Sequence, residues 1–138
     1  MDKLQKISTS AFIINEEKVL LVKRSKTEDP FPEHWELPGG KLDFGETPED
    51  GLRREVKEET GVEIEIKNPY SVFSYIHNEK HYIDIQYFCL AISHDIKLSH
   101  EHDEYFWAKK DDLSNLKITK EMRSVILKGF QNSQFKIL

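Results

Sequence analysis

Cysteine is nearly absent from this chain. Cys89 stands alone among 138 residues, which excludes an internal disulfide framework and suits a reducing compartment. Long apolar runs are missing too. None approaches the roughly 18–20 residues that a membrane-spanning helix needs, and residues 1–6 lack the apolar stretch of a secretory signal. Basic charge is in deficit, with 20 Lys and Arg against 25 Asp and Glu and a net charge of -5. Non-specific nucleic-acid binding rests on a basic footprint, so that class of function is disfavoured. No repeat, low-complexity tract or linker interrupts the chain. These absences predict a cytoplasmic protein with neither a membrane partner nor a non-specific nucleic-acid partner.

What is present fits one domain spanning residues 1–138, long enough to bury a core without disulfide or metal staples. Proline and glycine are sparse but concentrated: Pro30, Pro32, Pro38, Gly39, Gly40, Gly45 and Pro48 mark one constrained segment inside a regular domain. Strands are predicted over 7–14 and 18–24, with a hairpin turn at Asn15, Glu16 and Glu17. Residues 25–46 read as loop, with a short strand over 35–37. Thr47 is suited to cap a helix, Pro48 to start it, Glu49 and Asp50 to fill its first turn, and Gly61 to stop it after about Thr60. Further strands are predicted over 62–66, 70–76, 81–92 and 104–108. In the third of these Ile83, Ile85, Tyr87, Cys89 and Ala91 alternate onto one face, which makes Cys89 a small buried hydrophobe. Met122, Val125, Ile126, Gly129 and Phe130 have the spacing of an amphipathic helix. The fold class is therefore α/β or α+β, a mixed sheet flanked by helices.

The helix over 48–60 carries Glu55, Glu58 and Glu59, which share one arc because successive helical residues turn by about 100°. Leu52 and Val56 occupy the neighbouring arc, so the acids stand at the edge of the buried face. Three like charges so placed repel, and a hard divalent cation reverses the sign of that interaction. Oxygen ligands point to Mg²⁺ or Mn²⁺, and the absence of Cys or His from this face argues against zinc. A solvated acidic face paired with Arg53, Arg54 and Lys57 is the plainer alternative. The preceding glycines, Gly39, Gly40 and Gly45, favour the ligand reading, because they let main chain approach a ligand closely.

Gly40, Glu46, Arg54, Glu55, Val56, Glu58, Glu59, Gly61 and Val62 together match the pattern G-x5-E-x7-R-E-U-x-E-E-x-G-U, with U a bulky aliphatic, at every position. This segment, residues 40–62, resembles a complete Nudix box, and residues 35–40 resemble the lead-in that precedes it. The resemblance implies an α/β/α sandwich that hydrolyses a nucleoside diphosphate linked to another moiety with Mg²⁺ or Mn²⁺. It implies that Glu55, Glu58 and Glu59 bind the metal, that the Gly40 carbonyl adds a ligand, and that Glu46 and Arg54 support the loop and orient the glutamates.

The general base is open between Glu55 and a glutamate outside the box. Glu104 is the candidate for that place or for a further metal ligand, with Glu101 and Asp103 competing and a solvated acidic turn as the plain alternative. Arg24 and Lys41 are candidates to meet substrate phosphates. Phe31, Trp35, Phe73 and Tyr75 are candidates to stack on a base, although each suits ordinary packing. The six histidines lack zinc spacing and read as exposed or locally hydrogen-bonded. The short chain favours cleavage of a nucleoside triphosphate to monophosphate and pyrophosphate. Dinucleoside polyphosphates, ADP-ribose, nucleotide sugars, 5′-triphosphorylated RNA and a non-catalytic nucleotide sensor are the alternatives. A homodimer stays open, since the strand over 83–92 suits either a central position or a dimer edge.

Overall fold

The computed structural model describes residues 3–132. The chain order is β1 (Leu4–Asn15), β2 (Lys18–Arg24), β3 (Trp35–Glu36), β4 (Gly39–Lys41), α1 (Pro48–Thr60), β5 (Ile64–His77), β6 (Lys80–Ala91), β7 (His102–Ala108), a 3₁₀ turn (Lys110–Asn115) and α2 (Lys120–Gln131). The strands form one mixed sheet in the order β3-β2-β1-β6-β5, with β4 paired to β1 and β7 to β2. β1 runs parallel to β6 along most of its length. Its other edge is divided: Ser8, Thr9 and Ser10 pair with β4, while Ile14 and Asn15 pair with β2. The sheet thus splits beside β1, and residues 35–41 line the split.

Both faces of the sheet are covered. Ala11, Phe12 and Ile13 are all fully buried, because successive strand residues enter opposite cores. Ala11 and Ile13 pack with Leu20, Leu52, Val56, Tyr87 and Cys89 under α1. Phe12 packs with Leu21, Phe88, Val125 and Ile126 under α2. The α/β/α sandwich expected from the sequence is the observed architecture, and Cys89 lies in its core.

The box helix forms as its ends dictate. The Thr47 hydroxyl accepts the Asp50 amide, and Gly61 takes a left-handed conformation (φ 75°) while its N–H closes on the Lys57 carbonyl. Two expectations need correction, and one element was not foreseen. The strands expected over 62–66 and 70–76 are one strand, β5, whose pairing with β6 shifts register around Asn68 and Pro69. Proline has no N–H for the ladder, so the strand bulges there instead of ending. The loop expected over 25–46 contains β4, where Gly39 and Gly40 pair despite weak strand preference. The 3₁₀ turn over Lys110–Asn115 had no periodic signal.

Candidate active site

The loop before α1 is held by Arg54. Its guanidinium grips Glu46 with a fork, Nε to Oε2 at 2.8 Å and Nη2 to Oε1 at 2.9 Å. The same group donates to Glu55 Oε1 (3.0 Å), to Glu58 Oε2 (3.2 Å) and to the Lys41 carbonyl (3.1 Å). One planar cation thus ties the loop to two turns of helix, a task suited to the rigid arginine fork. The Arg54 fork and the Asp43 amide hold the Glu46 carboxyl down at about 2, against an ordinary 4.5. A carboxyl so depressed contributes stability above its ordinary value and loses it as pH falls toward 2. Melting temperature is therefore expected to drop as pH falls from about 4.5 to about 2, and Glu46→Gln is expected to flatten that part of the profile. A variant profile parallel to that of the wild type would refute the linkage.

Glu59 has a different environment. It is 5% exposed, accepts the Gly39 amide at 3.0 Å, and pairs with no cation among the described residues. Burial pushes its carboxyl well above the ordinary range, and Glu36, Glu55 and Glu101 push the same way. Glu55 is half-buried and is also raised, by burial first, although Arg54 opposes the shift. Its carboxylate lies against Gly40, where any β-carbon would collide with it.

The segment after β6 brings in a further acid. Lys97 N–H donates to the Thr60 carbonyl and Ser99 N–H to that of Glu59, so this segment supplies partners to the free carbonyls of α1. It continues to Glu101, whose carbonyl accepts the Ser25 amide and whose charge acts on both Glu55 and Glu59. Glu104, the candidate that the sequence offers outside the box, is not brought to the box. It lies opposite Lys23 in the β2–β7 ladder and pairs with it at 2.9 Å. That rung alternates with Leu20 and Trp107, which pack on the α1 side, so Glu104 is on the α2 face. Asp103 likewise acts on Lys23.

The other candidates separate. The Arg24 guanidinium reaches Glu36 (3.4 Å) and the Pro30 carbonyl (3.0 Å) beside the box. Lys41 holds its ammonium 5.6 Å from the Tyr82 ring centroid, and Tyr75 stacks on that ring and on Phe73. Phe31 is exposed at a loop beside His34. Trp35 packs against Phe106 and the α2 core, so packing accounts for it. Sequence reasoning missed Glu36 and His102. The His102 side chain is 1% exposed and bonds through Nε2 to Glu36 at 2.9 Å, a partner 66 positions away. It is therefore neither exposed nor locally bonded. The only sequence signal for Glu36 was its place just before the Gly39–Gly40 pair.

No three His, Cys, Asp or Glu side chains converge as a finished metal cage among the described residues, and Arg54 pairs with both Glu55 and Glu58. The donor set nevertheless fits a hard divalent cation: carboxylate and carbonyl oxygens, no sulfur or nitrogen, and a buried carboxyl at Glu59 with no cation partner among the described residues.

A profile of the NUDIX domain matches residues 4–128, and the chain belongs to the Nudix family. It is a Nudix hydrolase of the nucleotide pyrophosphohydrolase type, a family that generally uses a divalent metal. The nucleoside triphosphatase NudI of Escherichia coli O81 (strain ED1a) is 29% identical over 137 residues, covering 91% of this chain and 97% of that one. The NudI of Klebsiella pneumoniae (strain 342) is 31% identical over 122 residues, covering 80% and 86%. The MutT protein of Methanosarcina mazei Go1 superposes with a TM-score of 0.81 at 30% identity, covering 96% and 97%. No helix among the described residues is long and apolar enough to cross a membrane.

Proposed function

We propose that this chain, acting as a single domain, hydrolyses nucleoside triphosphates to monophosphate and pyrophosphate with Mg²⁺ or Mn²⁺. The observation that carries the reading is the buried, uncompensated Glu59 carboxylate beside Glu55 at the mouth of the sheet split. The relatives named above as nucleoside triphosphatases, aligned over 91% and 80% of this chain, support the substrate class.

In this reading Glu55, Glu58, Glu59 and the Gly40 carbonyl hold the cation. When bound, a divalent cation neutralises diphosphate charge, polarises the P–O bonds and lowers the pKa of water at the site. Arg54 keeps Glu55 and Glu58 in register, and the Gly39 N–H keeps Glu59 in place. A water oxygen bonds to one phosphorus of the α–β anhydride, the bridging P–O bond breaks, and the water proton passes to a carboxylate. Glu101 is the base we favour, since it is exposed and its charge reaches Glu55 and Glu59, whereas Glu104 is engaged with Lys23 on the other face.

A phosphate-release panel of nucleoside triphosphates, ADP-ribose, nucleotide sugars and dinucleoside polyphosphates tests the substrate, with pyrophosphatase added to reveal released pyrophosphate. Hydrolysis of ADP-ribose or a sugar nucleotide in preference to every triphosphate would overturn the assignment. Glu101→Gln is expected to lower kcat by about 10²–10³, the range for loss of a general base, with Glu104→Gln close to wild type. Equal losses in the two variants would return the base to Glu55.

A further inference from the structure

The start of β7 carries a buried polar pair that the hydrolytic scheme does not use. Lys23 of β2 lies opposite Glu104, but the next residue, Arg24, lies opposite His102. Asp103 is therefore an extra residue, and β7 bulges there. Alternation along β2 puts Val22 and Arg24 on the α1 side with Leu20, and Glu36 of β3 is the partner of Val22. Without the extra residue His102 would share the α2 face with Glu104. With it, the ring turns to the α1 side, where Nε2 donates to Glu36 Oε2 at 2.9 Å. Arg24 Nη1 approaches the same oxygen at 3.4 Å. One carboxylate thus ties β2, β3 and β7 together.

Packing alone would not select this pair. The His102 side chain is 1% exposed, and its Nδ1 is buried with no partner. An apolar side chain of similar size would fill the site without sealing away a polar atom. Departures of this kind gather at functional sites.

The residue before the ring is Glu101. Its carboxylate takes part in no hydrogen bond or ion pair among the described residues, so the main chain alone sets its place. That main chain belongs to no ladder, since residues 92–101 lie outside the strands and helices. Three bonds hold its end. Ser99 N–H donates to the Glu59 carbonyl at 3.0 Å, Ser25 N–H donates to the Glu101 carbonyl at 2.9 Å, and the Ser99 hydroxyl accepts the Glu101 amide at 3.3 Å. His102 anchors the same segment from its far side.

We propose that the His102–Glu36 bond is a strut that pins residues 99–101 on the box helix, and that His102 is thereby a positioning residue for the base. The inference rests on Glu101 acting as the base and extends that reading to what holds it. A base displaced by about 1 Å loses about 10² in rate.

Hydrogen exchange and kinetics on the full chain test the strut. His102→Leu fills the site and removes the donor. Its Ser25 and Ser99 amides are expected to exchange about tenfold faster than in wild type, with the β1–β6 ladder still protected. Its kcat is expected to fall by about 10² with KM unchanged. His102→Gln, whose amide nitrogen takes the place of Nε2, is expected to restore both. Added to Glu101→Gln, His102→Leu is expected to cost nothing further, because both changes disable one function. Wild-type exchange at Ser25 and Ser99 in His102→Leu, a uniform loss of protection across the sheet, or a full additional loss of rate on the Glu101→Gln background overturns the proposal. Should His102→Leu fail to fold, Glu36→Ala removes the same bond from its half-buried side and is held to the same exchange pattern. The exchange pattern does not depend on any reaction, so the two readings fail separately. If Glu101→Gln keeps full rate while that pattern holds, the base falls and the strut stands. If Glu101→Gln is slow while His102→Leu matches wild type in rate and exchange, the strut falls and the base stands.

Discussion

Exchanging Glu59 for glutamine is expected to make the protein more stable and nearly inactive. Glu59 is 5% exposed, accepts a single hydrogen bond from Gly39, and faces the negative charges of Glu36, Glu55 and Glu101. Burial raises its carboxyl in the folded chain above the value of the unfolded one. The charged form is then a destabilising burden that is absent in the ordinary carboxylate range and grows as pH rises through the raised value. Glutamine keeps an acceptor for Gly39 and removes the charge. Without divalent metal at pH 8, Glu59→Gln is expected to gain about 1 kcal/mol, roughly 3–5 °C for a chain of this size, with a smaller gain at pH 5. Adding Mg²⁺ or Mn²⁺ is expected to raise the melting temperature of wild type and leave the variant unmoved, because a ligand stabilises only the state it binds. Loss of a metal carboxylate is expected to lower kcat by about 10³, the consequence of several kcal/mol of lost charge stabilisation. Thermal melts with and without metal, run beside the kinetics, check each part. A variant that melts below wild type at pH 8, or keeps kcat within about tenfold, would sink the assignment.

How far this site could be read in advance depends on the range of the interactions that build it. The box helix was legible to the residue, since Thr47, Pro48 and Gly61 are local signals and α1 begins and ends where they place it. The strand pattern of β1, β2 and β6 was legible because alternation is local as well. The role given to Glu104 failed on a quantity that alternation cannot supply. In β7 the odd and even side chains separate cleanly, but which set faces α1 is decided by pairing with β2 some 80 positions earlier, at Lys23↔Glu104 and Leu20↔Trp107. A one-residue shift would exchange the two sets. Glu36 and His102 were missed for the same reason, since their bond joins β3 to β7. The hairpin turns show the opposite limit. Glu16, Glu17, Asn78 and Glu79 all take positive φ without a glycine among them. The strand ladders impose that conformation on residues with weak preference for it.

Gly39 and Gly40 adjoin in sequence, yet alanine at the two positions is expected to fail in different ways. Gly39 sits opposite Ser10 in the β1–β4 ladder, and an added β-carbon would run into the Thr9 carbonyl and the Ser10 backbone. Neither can withdraw, because β1 is also paired along its length to β6. Relief requires β4 to lift from the sheet, which also removes the Gly39 amide from Glu59. Gly39→Ala is expected to cost about 3 kcal/mol, the upper end for overpacking, with activity lost alongside. At Gly40 the atoms nearest to the added carbon all belong to the Glu55 side chain, at its carboxylate end. The end of a glutamate can swing away, so Gly40→Ala is expected to fold within about 1 kcal/mol of wild type. The swing moves a carboxylate of the proposed metal set, and a displacement near 1 Å is enough to cost about 10² in rate. Urea denaturation with parallel kinetics separates the two outcomes: one variant should fail mainly in stability, the other mainly in kcat. If Gly40→Ala keeps full activity, the Gly40–Glu55 contact is packing alone and Glu55 has no strict position to hold. If Gly39→Ala is as stable as wild type, the β4 ladder yields more readily than its central place beside β1 implies.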